Sequence, residues 1–180
     1  MLVTENLMKE HQLILKYIGL MERYAESALN EFNSFILFEK ANDFIVFIDD
    51  FADDFHHAKE EDILFRYLDV PGVLTHCNPV PQMLLEHNKA REFVSNMKNS
   101  LRTKTLNELV VNMSQYASLL KEHIYKEDNI LYPMAERGLS DEAKLSLLKG
   151  YATTDNRLNS PDMWCKFEAL YTELESSLNV

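Results

Sequence analysis

Six histidines punctuate a chain of 180 residues, and four of them stand at comparable places in four stretches of helical periodicity. His11 has Leu7, Met8, Ile14, Leu15 and Ile18 at −4, −3, +3, +4 and +7, which puts it on the apolar face of a helix. His87 keeps the same company with Met83, Leu84, Ala90 and Val94, and His123 with Tyr116, Leu119, Leu120, Ile130 and Leu131. His56 faces inward less cleanly, among Ile48, Ala52, Ile63 and Leu64. A single histidine on an apolar face is ordinarily a hydrogen-bonded core residue. Four in one bundle are another matter, because each neutral imidazole buried without a partner costs about 1–3 kcal/mol. One ligand shared by all four removes that cost.

Two of the four also carry a carboxylate one turn later. The segments 56–65 (HHAKEEDILF) and 123–132 (HIYKEDNILY) match position by position as H-x-x-K-E-[ED]-x-I-L-aromatic. Residues four apart on a helix project to one side, about 5–6 Å apart at Cβ. Each H-x-x-x-E pair therefore offers an imidazole nitrogen and a carboxylate to a common point. Two such pairs on two helices can hold two cations, with Glu60 and Glu127 bridging and His56 and His123 capping. His57/Glu61 is also an i, i+4 pair, but the repeat aligns His56 with His123 and Glu60 with Glu127. His57 also shares its side with Asp50, Asp53, Asp54 and Glu61, a face that reads as solvated. The spacing thus favours His56 and Glu60.

Positioning these side chains requires long helices. The periodicity predicts helices over 4–29 (with Thr4 as N-cap), 35–68, 79–101 and 105–135, with a connecting loop at 70–81 that holds three prolines and a glycine. Pro133 falls in the last turn of the fourth helix, and Gly138 follows as a stop. A short helix over 140–149 and an amphipathic one over 160–178 follow. The expectation is an all-α fold: an up-down four-helix bundle over 1–136 and a C-terminal helical extension over 137–180, packed on through Trp164, Phe167 and Tyr171. Four glycines and five prolines are few for a turn-rich sheet protein.

Lys and Arg number 18 against 29 Asp and Glu, a formal charge of −11. Nucleic acid and anionic membranes are poor partners for so acidic a chain, whereas cations suit it. The opening residues lack a basic segment followed by an apolar run, so no secretory leader is expected. No apolar run approaches the roughly 18 residues that span a bilayer. Cys77 and Cys165 lie far apart and form no CxxC, which fits a reducing compartment and a cytoplasmic protein. The homodimer is left open.

The set H, HxxxE, HxxxR, HxxxE, with Tyr132-Pro133 after the last and the segment 79–91 (PVPQMLLEHNKAR), resembles the hemerythrin-like (HHE cation-binding) domains over about residues 1–136. The resemblance implies a non-haem di-iron centre with an oxo or hydroxo bridge, held by His11, His56, His87 and His123 as terminal ligands and Glu60 and Glu127 as bridges. Manganese and zinc remain compatible with these donors. It also implies a small diatomic or peroxide ligand: dioxygen, peroxide or nitric oxide. The chain departs from the oxygen carriers, which have H-x-x-x-H on the third helix where this chain has His87-x-x-x-Arg91. On the fourth they have H-x-x-x-x-D, where this chain has Glu127 at +4 and Asp128, the less favoured bridge, at +5. A guanidinium is a poor metal ligand. The HxxxR variant is similar to hemerythrin-like proteins associated with peroxide removal, which implies catalase-like chemistry with Arg91 pairing with a bridging carboxylate or orienting a bound peroxide. Its bland counterpart is a snorkelling surface arginine. The alternative function is a metal- or gas-binding sensor or an iron-storage module without turnover. A ferritin-like carboxylate bundle is disfavoured, since no Glu-x-x-His pair occurs. Tyr24, Tyr116 and Tyr125 are not placed by the sequence.

Overall fold

In the computed structural model, which describes residues 2–28 and 31–178, six helices account for nearly all of the chain, and no strand occurs among the described residues. α1 is Glu5–Ser27. α2 begins at Glu31–Phe47, continues without a break through two widened stretches, Ile48–His57 and Glu60–Leu64, and ends in Phe65–Leu68. α3 is Val80–Thr103. α4 begins at Leu106–Lys126, passes through a widened stretch at Glu127–Leu131 and ends in Tyr132–Gly138. α5 is Asp141–Arg157 and α6 is Ser160–Leu178. The first four form a closed ring in which α1 meets α2 and α4, and α3 meets α4 and α2. α5 lies against the end of α2, and α6 against α1 and α2.

Several expectations change. The end of the first helix expected at 29 lies outside the described residues. Thr4 makes no side-chain cap; its backbone N–H and hydroxyl both donate to Glu136 Oε1, at 3.0 and 3.1 Å, which ties the start of α1 to the end of α4. The fifth helix runs to Arg157 rather than stopping near 149, because Gly150 packs against Ile63 of α2 instead of ending the helix. Pro133 sits where the widened stretch hands over to ordinary helix, and the helix runs on to Gly138. A Cβ at Gly138 would stand 2.2 Å from the Val73 carbonyl oxygen, so only glycine lets the 69–79 loop rest on the end of α4.

Two apolar clusters fill the bundle. One holds Ile14, Tyr17, Phe44, Phe51, Val94, Met113 and Leu120 among others; the second holds Leu7, Leu64, Met83, Leu131 and Tyr132. On every helix of the ring the break between the clusters falls at the histidines: His11, His56, His87 and His123 occupy a polar layer between two greasy ends.

The C-terminal helix covers an aromatic ladder. Tyr17 and Phe47 stack at 3.5 Å, Phe51 and Phe55 continue the column, and Phe167 and Trp164 of α6 meet Phe51 edge-on. Two hydroxyls one heptad apart on α1 fix the register: Tyr17 donates to the Phe167 carbonyl and Tyr24 to that of Leu174, both at 2.7 Å. Removing either hydroxyl (Tyr17→Phe or Tyr24→Phe) is expected to lower stability by about 0.5–1.5 kcal/mol in urea denaturation. Unchanged midpoints in both variants would show the docking to be purely apolar.

Candidate metal centre

At the middle of the polar layer five buried imidazoles, His11, His56, His57, His87 and His123, surround the fully buried carboxylates of Glu60 and Glu127. They fall into two groups whose ligand atoms lie within 4.8 Å of one another. His57, His87, His123 and Glu60 make one, and His11, His56, Glu127 and the same Glu60 make the other. A cation bound at about 2.1 Å separates its ligand atoms by up to about 4.2 Å. Each group is thus gathered close enough to contract onto one cation. All six residues singled out as ligands from the sequence fall within these two groups.

His57 was placed by sequence on a solvated face, and this is corrected. It is buried, and its ring stacks on that of His87 at 3.8 Å. The reason lies in the backbone. Through Ile48–His57 the helix is widened, and the Ala58 N–H reaches back five residues to the Asp53 carbonyl. The turn holds more residues than 3.6, neighbouring side chains diverge less, and His56 and His57 both face inward. Such stretches leave no mark on hydrophobic periodicity. Of the acids that made this face look solvated, Asp53 and Glu61 are partners of imidazoles, whereas Asp50 pairs with Lys166 and Asp54 is exposed.

Each of the five rings turns its Nδ1 onto a carboxylate. His11 meets Asp128 at 2.7 Å, His56 meets Glu10 at 2.8 Å, and His57 meets Asp53 at 3.0 Å. His87 meets Glu61 at 2.7 Å and His123 meets Glu86 at 2.9 Å. An imidazole that donates from Nδ1 presents a bare acceptor at Nε2, the tautomer a metal ligand needs. The Nε2 atoms of His87 and His123 then face each other at 2.9 Å. Two acceptors at that distance require a cation or a proton between them. Glu60 Oε2 and both oxygens of Glu127 are buried with no hydrogen-bond partner among the described residues. Glu127 Oε2 points toward His11 Nε2 at 3.3 Å and Oε1 toward His123 Nε2 at 3.2 Å. These unsatisfied oxygens fit a bound metal and make a poor core without one.

The matched segments gain a meaning beyond His and Glu. Lys59, three residues after His56, pairs with Glu10, the carboxylate that orients His56. Lys126, three after His123, pairs with Glu86, which orients His123. The acid after each bridging candidate orients the histidine of the other type of helix, Glu61 on His87 and Asp128 on His11. The dipeptides Glu10-His11 and Glu86-His87 complete the pattern, so the ring of helices has an internal twofold likeness. Two places break it. His57 corresponds to Ile124. Tyr132, stacked on His11, corresponds to Phe65, stacked on His87. The Tyr132 hydroxyl donates to Glu60 Oε1 at 2.6 Å. Burial, then the charges of Glu60 and Glu127, hold its phenol well above the usual range, so it stays a donor.

Arg91 pairs with neither Glu60 nor Glu127. Its guanidinium grips Asp53 through Nε and a terminal nitrogen, at 2.9 and 2.7 Å, and reaches Glu61 at 2.7 Å. One arginine therefore holds the carboxylates behind both His57 and His87, and it is not a free surface side chain.

The family model for the hemerythrin HHE cation-binding domain matches residues 2–135. The chain belongs to this family, whose fold is the four-helix ring just described. Comparison with curated proteins and with solved structures returned no match. Among the described residues no helix is long and apolar enough to cross a membrane.

Proposed function

We propose that this chain is a non-haem di-iron protein that takes up a small oxidant, with peroxide the first candidate and dioxygen and nitric oxide beside it. The observation that supports the reading is the convergence of five carboxylate-oriented imidazoles on buried, unsatisfied glutamate oxygens. Two iron ions, when bound, would supply a redox pair able to exchange two electrons with such a molecule. His57, His87 and His123 would hold one ion and His11 and His56 the other, with Glu60 and Glu127 between them. The three-imidazole group regains from α2 the ring that α3 lacks where it carries Arg91. Arg91 acts as a positioning residue through Asp53 and Glu61 rather than on the oxidant itself. Tyr132 holds a proton beside Glu60 Oε1, and Lys59 and Lys126 keep Glu10 and Glu86 in place.

Anaerobic reconstitution followed by metal analysis and a visible spectrum tests this. About two irons per chain with oxo-bridge absorption after air exposure are expected, and fewer than one iron per chain overturns the reading. A stopped-flow peroxide assay on the same sample separates turnover from sensing or storage.

A further inference from the structure

Outside the ligand cluster, between α2, α3 and α4, lies a partly enclosed cavity of about 260 Å³ whose lining includes His57. Ile48, Ala90 and Val94 give it apolar walls. Its charged residues are matched in pairs, Arg91 with Asp53 and Lys98 with Asp49, so the cavity offers an ion no unpaired partner. Tyr116 lines it as well. That residue is 1% exposed, and its hydroxyl has no hydrogen-bond partner among the described residues. Burial holds its phenol well above the usual range, so it remains an O–H donor. A buried donor left unmade costs about 1–3 kcal/mol. A water occupies about 30 Å³, so the space is several times what a diatomic or hydrogen peroxide would fill. None of the residues of the other group, His11, His56, Glu60 and Glu127, lines it.

We propose that this cavity is a binding chamber for a small neutral organic molecule with an apolar body and an oxygen held by the Tyr116 hydroxyl, an alcohol or an alkyl hydroperoxide, presented to the His57 side of the centre. The apolar walls select against hydrated ions, and the volume selects for a branched or aromatic body. The unpartnered phenol selects for an accepting oxygen. That a hydroperoxide would be presented to a reactive centre rests on the di-iron reading; the chamber itself does not.

The test uses the full-length protein, metal-free and loaded with zinc, which is diamagnetic and redox-inert. Each form is titrated with cumyl alcohol and with cumene hydroperoxide, with amide chemical shifts followed by NMR. Saturable shifts centred on Ala90, Val94, Ser95 and Tyr116 are expected. Tyr116→Phe should weaken binding about tenfold, and Val94→Trp, which fills the space, should abolish it. Tighter binding of either compound supports the chamber and names its ligand class. No saturable shift in either form overturns the proposal, as does binding undiminished in Val94→Trp. Iron content after anaerobic reconstitution of the same protein reports on the centre separately: binding in a chain that takes up fewer than one iron sinks the metal reading and keeps the chamber, and two irons without binding does the reverse.

Discussion

Glu60→Gln is expected to abolish metal uptake at both positions while leaving the metal-free fold intact. Glu60 is the one side chain common to the two ligand groups. In the metal-free chain its carboxyl is pushed well above the usual range by burial and by the neighbouring charge of Glu127, so it is the partner that keeps a proton. Glutamine is close to an isostere of that protonated form and still accepts from Tyr132 through its carbonyl oxygen. The variant therefore should melt like wild type without metal. The difference emerges on loading. A ligand that binds only the native state adds about 2.7 kcal/mol when present at a hundred times its Kd. Wild type should show this rise in Tm with added metal and Glu60→Gln should not. His57→Ala provides the contrast, since it touches one group only: metal analysis should fall from about two ions per chain to one. Two ions retained in Glu60→Gln would show that the carboxylate shared by both groups is not a bridge. A fall to zero in His57→Ala would show that the two positions fill only together.

The difference between these two residues also marks where sequence reasoning reaches and where it stops. His11, His87 and His123 lie on helices of ordinary pitch up to that point, so counting by 3.6 places them correctly. The register of the HxxKE repeat identifies Glu60 and Glu127 because equivalent spacings put equivalent atoms at the same depth. His57 escapes because the widened turns around it alter the angle between neighbours, and no residue type announces such a turn. Reading Asp53 and Glu61 as solvated was the natural consequence. Their true role depends on Arg91, which comes from another helix about 30–40 residues away and whose reach no local pattern encodes. The HxxKE spacing is silent about Lys59 and Lys126 for the same reason: each clamps a glutamate from a different helix. The architecture of the ring followed from apolar periodicity alone. The length of α5 did not, because Gly150 looks like a stop locally and becomes a close contact with Ile63 only after folding.

Metal loading should release at least two protons per chain near neutral pH, and affinity should fall steeply as pH drops. Burial works against charge on His11, but its hydrogen bond to Asp128 and the nearby charge of Glu127 outweigh it and lift the imidazole to about 9. His123 is lifted to about 10: burial again opposes, and the charge of Glu127 with help from Glu86 prevails. Both rings are therefore protonated at pH 7 in the metal-free chain, and burial with the charge of Glu127 pushes Glu60 toward holding a proton as well. His56, His57 and His87 are pushed down, chiefly by burial, and are already neutral. Glu127 stays ionised, because the charge of His123 and the neighbouring His11 outweigh its burial. A cation can bind only where these protons leave. The sign follows: groups with raised pKa values must be stripped, so the overall binding constant grows as pH rises toward about 9, by about tenfold per pH unit for each displaced proton. Calorimetric titration in two buffers of different ionisation enthalpy counts the protons directly. Asp128→Asn isolates one of them, because Asp128 orients His11 without belonging to either ligand group. With that hydrogen bond neutralised, His11 should lose its proton near neutral pH in the metal-free chain. Release on loading then drops by about one while about two ions still bind, at an affinity about 10–100-fold lower because the ring is less firmly held. Release of fewer than one proton in the wild type would mean that the metal-free layer does not substitute protons for cations.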